Sequence, residues 1–297
     1  MYKRIVFLLI LFLGISFVSA LDLTVNNPVQ DEIYPSRTVV INLDSDDVAN
    51  FYYKKDTLAN TKWKRLCMME TVCEKRFRFD EGDNMISFKA VTEGGEQDFV
   101  YDVSFEVDSS KPRIHTMTPR RGSYIKGDLF SVIYTEDNLQ EITLDYGTPT
   151  DIRMASRTDC TPGRNQVCNF ENVDLTDFDG KEIEYWFAVS DELRTVTSRR
   201  TLVNVDTTAP ELNYFDYTIS RGSATFVFEI KEQNFKDISY IDNNDRNPRW
   251  KRLCTRLRDG SCSRRIPFAR GEHLLDIVAV DKAGNSLVIE DDLLIIV

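Results

Sequence analysis

Beyond residue 20 the chain is written in short stretches in which apolar and polar residues alternate one for one. Residues 224–231 read ATFVFEIK, with Phe226, Phe228 and Ile230 on one side and Thr225, Val227 and Glu229 on the other. Val103, Phe105 and Val107 fall on one face of residues 99–107. Ile86, Phe88 and Ala90 repeat the pattern, as do Leu275, Ile277 and Ala279. A period of two carried by β-branched and aromatic residues predicts half-buried strands. Turn formers separate the runs at Glu81-Gly82-Asp83-Asn84, Arg221-Gly222-Ser223 and Lys282-Ala283-Gly284-Asn285. No stretch past residue 20 carries a capped helical period. The pattern predicts an all-β protein with six or seven short strands per domain, folded as two-sheet sandwiches.

The pattern also repeats. Six cysteines form three close pairs, Cys67 and Cys73, Cys160 and Cys168, Cys254 and Cys262. The first members of the pairs are spaced by 93 and 94 residues. Trp63-Lys64-Arg65-Leu66-Cys67 returns unchanged as Trp250-Lys251-Arg252-Leu253-Cys254, and RFRFDEGDNMISFKAV (76–91) aligns without a gap on RIPFARGEHLLDIVAV (265–280). The middle copy is looser, but YWFAVSD (185–191) holds the same place. Such a period exceeds one solenoid turn and matches a small sandwich domain of about 100 residues. Boundaries are marked by Val107-Asp108-Ser109-Ser110-Lys111-Pro112 and Val205-Asp206-Thr207-Thr208-Ala209-Pro210, each a strand running into a polar stretch closed by proline. Proline cannot continue a ladder and limits the swing between neighbours. The expected domains are 21–109, 110–207 and 208–297.

The first twenty residues stand outside this scheme. A basic start at Lys3-Arg4, an apolar run from Ile5 to Val18 and the small residues Ser19-Ala20 have the order of a secretory signal peptide. The apolar run is shorter than the roughly 20 residues of a membrane span, which favours a cleaved signal; the competing reading is an uncleaved anchor, through which alone a membrane link is expected. An even cysteine count behind an export signal reads as disulfides 67–73, 160–168 and 254–262. Zinc would need about four clustered ligands, whereas these pairs lie far apart and the chain has two histidines, His115 and His273.

Three features resemble the immunoglobulin-like and fibronectin type III-like modules of prokaryotic surface proteins. They are the Val-Asp-x-x-x-Pro boundaries at 107–112 and 205–210, the strand–turn–strand from Gly271 through Asp281-Lys282-Ala283-Gly284-Asn285, and the Asp137-Asn138-Leu139 loop. The resemblance covers essentially the whole chain after residue 20. It implies three tandem Ig-like antiparallel β-sandwiches and roles in adhesion, surface assembly or spacing. Antibody-type domains bridge their sheets by a long-range disulfide. The pairs here are too close for that and are expected to pin a hairpin or loop.

Charge and candidate chemistry narrow the function. With 48 acidic and 37 basic residues the chain is unsuited to general nucleic-acid binding. Neither histidine lies in a catalytic motif, and no phosphate loop or metalloprotease motif occurs, so no catalytic residue is assigned. Carboxylates near the junctions, Asp108, Asp137 and Asp206, with Asp191 and Asp281 in nearby loops, could make an oxygen cage for calcium. The simpler reading is loop solubility, because no EF-hand run is present. Residues 246–270 hold nine basic residues against one acidic. Residues 54–78 hold eight against three, and 147–170 three against two. Arg249, Trp250, Lys251, Arg252, Arg256, Arg258, Arg264 and Arg265 are therefore the candidate binding residues, suited to an anionic glycan or the acidic face of an envelope protein. The competing reading is pairing with neighbouring acids or protection of a sheet edge. The expectation is a secreted or outer-envelope, non-catalytic binding or structural module. A passive stalk segment of a larger complex, or an enzyme with an unrecognised site, are the alternatives.

Overall fold

The computed structural model describes residues 20–56 and 62–297. The secretory leader read over residues 1–20 lies, except for Ala20, outside the described residues. Among the described residues no helix is long and apolar enough to cross a membrane, and the helical content is one 3-10 turn, Thr176–Phe178. The chain divides into two compact units, the first ending at Ser110 and the second running from Lys111 to Val297.

The first unit contains β1 (Leu23–Asn27), β2 (Ile33–Tyr34), β3 (Thr38–Lys55), β4 (Lys64–Arg78), β5 (Gly82–Thr92) and β6 (Gln97–Val107). They are hydrogen-bonded in the order β1-β3-β5-β6-β2, with β4 on β3. Two strands are far longer than the alternation predicts, because each serves both layers. The start of β3 pairs with β1 on one side and sets Leu43 opposite Cys73 of β4 on the other; its end pairs with β5 on one side and sets Phe51 opposite Cys67 of β4 on the other. Between these points the register slips from Asp44↔Val72 to Ala49↔Glu70, an irregularity that lets both strands turn the corner between layers. Ile41, Leu43, Phe51, Ile86, Phe88, Ala90, Val103, Phe105 and Val107 are buried between the layers, as their spacing requires.

The second unit holds two sandwiches. The first comprises β7 (Arg113–Thr118), β8 (Tyr124–Ile125), β9 (Leu129–Glu136), β10 (Glu141–Thr148), β11 (Asp151–Arg157), β12 (Gly163–Glu171), β13 (Glu182–Ser190), β14 (Thr195–Thr197) and β15 (Thr201–Val205). A sheet β12-β9-β7 faces a sheet β11-β10-β13-β15-β8, with β14 also on β13. The second comprises β16 (Glu211–Ser220), β17 (Ser223–Lys231), β18 (Phe235–Asp242), β19 (Lys251–Cys254), β20 (Ser261–Pro267), β21 (Glu272–Asp281) and β22 (Ser286–Ile296). Sheet β16-β17-β20 faces sheet β19-β18-β21-β22. Seven strands split three against four in this order form an Ig-like sandwich of the fibronectin type III kind. Phe226, Phe228 and Ile230 of β17 meet Leu275, Ile277 and Ala279 of β21 in its core. Each large apolar side chain so buried contributes about 1.5–3 kcal/mol.

The strand order decides between the hairpin and the loop as what the bridges pin. The pairs Cys67–Cys73, Cys160–Cys168 and Cys254–Cys262 are bonded, but they do not close hairpins. Strands β11 and β12 belong to opposite sheets, and so do β19 and β20. Cys254 ends β19 and Cys262 lies near the start of β20, so the bridge clips the segment where the chain crosses between sheets. In the first unit the same crossing is made by the unbroken β4, and the bridge spans its bend around Met69, whose φ is 54°.

Candidate functional site

Within the second unit, the ends of three strands bring carboxylates together. Asp206 follows β15, Glu232 follows β17 and Asp281 ends β21, so one acid comes from the upper sandwich and two from the lower. One carboxylate oxygen from each lies within 4.8 Å of the others. Asp206 and Asp281 are buried and Glu232 is half-buried.

Local geometry holds each acid in place. The Asp206 N–H donates to the Ile125 carbonyl at 2.8 Å. Asp281 Oδ1 accepts the N–H groups of Gly284 and Asn285 at 2.7 and 2.9 Å, closing the Asp-Lys-Ala-Gly-Asn turn. Glu232 Oε1 accepts the Asn234 N–H at 2.6 Å. Two amides then bridge the group. Asn234 Nδ2 donates to Asp206 Oδ2 at 2.9 Å. Asn285 Nδ2 donates to Asp281 Oδ2 at 2.7 Å and across the joint to the carbonyls of Asp206 at 2.8 Å and Thr208 at 3.2 Å. Lys126 Nζ reaches the Gly284 carbonyl at 3.2 Å, and Lys282 lies 5.1 Å from the Tyr124 ring centre. Burial, reinforced by the charges of Asp206 and Asp281, raises the Glu232 carboxyl above its usual range.

Two of the three acids recur one domain earlier. Glu136 ends β9 and Asp191 follows β13, the positions of Glu232 and Asp281, and their carboxylates lie within the same 4.8 Å. Asp191 Oδ1 accepts the N–H groups of Leu193 and Arg194, while its buried Oδ2 has no hydrogen-bond partner among the described residues. Asp108 occupies in the first unit the sequence position of Asp206, its N–H donating to the Tyr34 carbonyl at 3.0 Å. Asp137, expected as a ligand, is exposed and stands outside the group, which takes the neighbouring Glu136 instead. Hard oxygen donors of this kind suit calcium rather than a softer metal. Turning the Asn285 amide end for end would exchange its donor for an oxygen ligand, which makes the set adaptable to a cation.

The stretch after each boundary strand is tied to its own sandwich. Glu81 accepts the N–H and hydroxyl of Ser109, both at 2.7 Å, and Asp179 does the same for Thr207 at 2.6 and 2.9 Å. The Thr207 N–H, more than any other contact, holds the Asp179 carboxyl below its usual range.

The basic candidates lie around the third crossover. Lys251 pairs with Asp245 at 2.9 Å and Arg252 approaches Asp237 at 3.7 Å. Arg249, Arg256, Arg258, Arg264 and Arg265 are exposed with no ion pair among the described residues, and Trp250 is 54 % exposed. Strands β19 and β20 are both sheet edges. Arg264 and Arg265, adjacent on β20, point to opposite faces, so the cations surround an edge rather than paving one surface. His115 bonds Thr135 Oγ1 at 2.8 Å, and His273 bonds Asp242 at 2.6 Å and the Ala269 carbonyl at 3.0 Å.

No family model and no curated protein matches the chain. Among solved structures it is similar to the FN1–FN3 domains of chicken CNTN1, with 9% identity, a TM-score of 0.46, and coverage of 92% of this chain and 97% of that one. It is also similar to the titin I-band fragment I67–I69, with 12% identity, a TM-score of 0.42, and coverage of 90% and 95%. A tetra-tandem repeat in the extending region of a large adhesion protein aligns at 14% identity and a TM-score of 0.35, over 91% and 72%. The assignment as tandem Ig-like, fibronectin type III-like sandwiches stands on the strand order and register above.

Proposed function

We propose that this chain is a non-catalytic module of the cell surface or extracellular medium that sets Ig-like domains in a fixed sequence and holds an anionic envelope partner. The joint around Asn285 carries the reading. One buried side chain bonds the Asp281 turn of the lower sandwich to two backbone carbonyls beyond the last strand of the upper one. A passive tether has no use for such a fastening. Three bonded cysteine pairs and no free thiol support an oxidising compartment. A calcium ion at Asp206, Glu232 and Asp281 would stiffen the same joint. The arginines of the third crossover supply the binding surface, and the basic residues of the first crossover, Lys64, Arg65, Lys75, Arg76 and Arg78, are exposed in the same way.

The test is retention in the native envelope after charge reversal at Arg249, Arg256 and Arg264. Arg252 is left intact because of its contact with Asp237. Retention should be lost with the fold unchanged, wild-type retention should weaken as salt rises, and cross-linking should recover a defined partner. Retention indifferent to both charge and salt would leave the arginines as edge protection alone.

A further inference from the structure

We propose that the second sandwich carries a docking groove for an extended acidic peptide, with Arg120, Arg121 and Arg199 as its anion-binding end. This groove is separate from the cysteine crossovers and from the carboxylate joint.

The groove has a volume of about 870 Å³ and runs between β7 and β14. Each of these strands pairs on one side only, β7 with β9 and β14 with β13. A strand with a single neighbour turns every second backbone N–H and C=O outward, which is the template that an added strand uses. At one end two chain reversals meet. The turn between β7 and β8 presents Arg120 and Arg121, and the bend between β14 and β15 presents Arg199. The Gly122 N–H, donating to the Leu202 carbonyl at 2.9 Å, fastens the two reversals together.

Charge selects the ligand. No Asp or Glu lines the groove, although acids outnumber bases in the chain. Arg120, Arg121 and Arg199 are exposed and have no ion pair among the described residues. The adjacent Arg200 shows the contrast: it pairs with Glu184 at 3.2 Å and stacks 4.2 Å from the Trp186 ring centre. Three unneutralised guanidiniums at one end are complementary to carboxylates.

The walls favour a peptide over a glycan. Half-buried Ile114, Met117 and Val196 alternate with the hydroxyls of Thr116, Thr118, Thr197 and Ser198, a surface matched to the period-two side chains of an extended peptide. The lining holds a single Phe, Tyr or Trp ring, that of Tyr185, which is fully buried with its hydroxyl donating to the Pro119 carbonyl. It offers no open face for stacking on a sugar.

The experiment uses the full-length oxidised protein and fluorescence anisotropy of a labelled peptide of alternating Val and Glu. Binding should weaken with salt and fall roughly tenfold or more in the triple variant Arg120→Gln, Arg121→Gln, Arg199→Gln. It should be unchanged by Lys231→Gln, which removes a cation of the neighbouring sandwich that is already paired with Glu211. A peptide carrying Pro in place of every Val, unable to pair along a strand, should bind at least tenfold more weakly, as should polygalacturonate and inorganic phosphate. Absence of binding, insensitivity to the triple variant, or equal affinity for the Pro peptide or polygalacturonate would overturn the proposal.

Discussion

Replacing Asn285 by Asp tests the joint and its cation chemistry together. The substitution keeps the shape and removes the Nδ2 donor, which bonds Asp206 O at 2.8 Å, Thr208 O at 3.2 Å and Asp281 Oδ2 at 2.7 Å. Each lost bond costs about 0.5–1.5 kcal/mol net. The new carboxylate also joins three others that already lie within 4.8 Å of one another. Two unit charges about 4–5 Å apart repel by roughly 4 kcal/mol at an effective dielectric constant of about 20, an amount that proton uptake partly relieves. In chelator Asn285→Asp should therefore lose about 3–5 kcal/mol of stability. Asn285→Ala, which loses only the bonds, should lose about 2–3 kcal/mol. Millimolar calcium should reverse the order, because a fourth carboxylate adds a ligand where alanine adds none. Urea unfolding followed by the fluorescence of Trp186 and Trp250, with and without calcium, reads both effects. An Asn285→Asp protein as stable as wild type in chelator would refute the bonding account. A calcium response equal in the Asp and Ala variants would refute the cation account.

Other outcomes follow from the same structure. Reducing the three bridges should lower stability by about 2–3 kcal/mol each without unfolding the sandwiches, because the closed loops are short; non-reducing peptide mapping should recover only 67–73, 160–168 and 254–262, and an inter-repeat bridge would contradict it. The Glu232 carboxyl is raised in the folded state by burial and then by Asp206 and Asp281. The native protein therefore holds a proton that the unfolded chain releases, and calcium-free stability should fall as pH rises from the unfolded value of about 4.3 through the folded one. Glu232→Gln, which keeps the acceptor for Asn234, should flatten that fall in urea midpoints measured across pH, and a steeper fall would refute it. His273 titrates above its ordinary value: burial opposes the charge, but the Ala269 carbonyl and Asp242 outweigh it. Its stabilisation should be complete below about pH 6.5 and lost as pH rises through the folded value; a proton NMR titration showing a midpoint below the model-peptide value would exclude this.

Sequence alone determined the strands and their repetition. A strand buries every second side chain, so Phe226, Phe228 and Ile230 announce a core face without knowledge of what they meet. Three cysteine pairs at one interval likewise announce three copies. What the bridges clip was decided by strand order, because a short cysteine spacing fits a hairpin and a sheet-to-sheet crossing equally well. In the first copy, fusion of strands into the long β3 and β4 erased the turn signals that mark the crossing elsewhere. The carboxylate group shows the same division. Asp206 and Asp281 stood out beside the proline boundary and the glycine turn, but the third acid is Glu232, and in the copy before it Glu136 rather than Asp137. Where a strand ends, a shift of one residue reverses the side-chain direction, and only the register fixes which residue faces inward. Asn285 read as a turn former, and its bonds to Asp206 and Thr208 exist only because another sandwich lies beside it. Arg120, Arg121 and Arg199 are nearly eighty residues apart at the extremes and meet through two turns joined by one backbone bond. Local spacing carries the information for faces and turns, whereas contacts between distant strand ends arise from packing of the sheets, which no local pattern encodes.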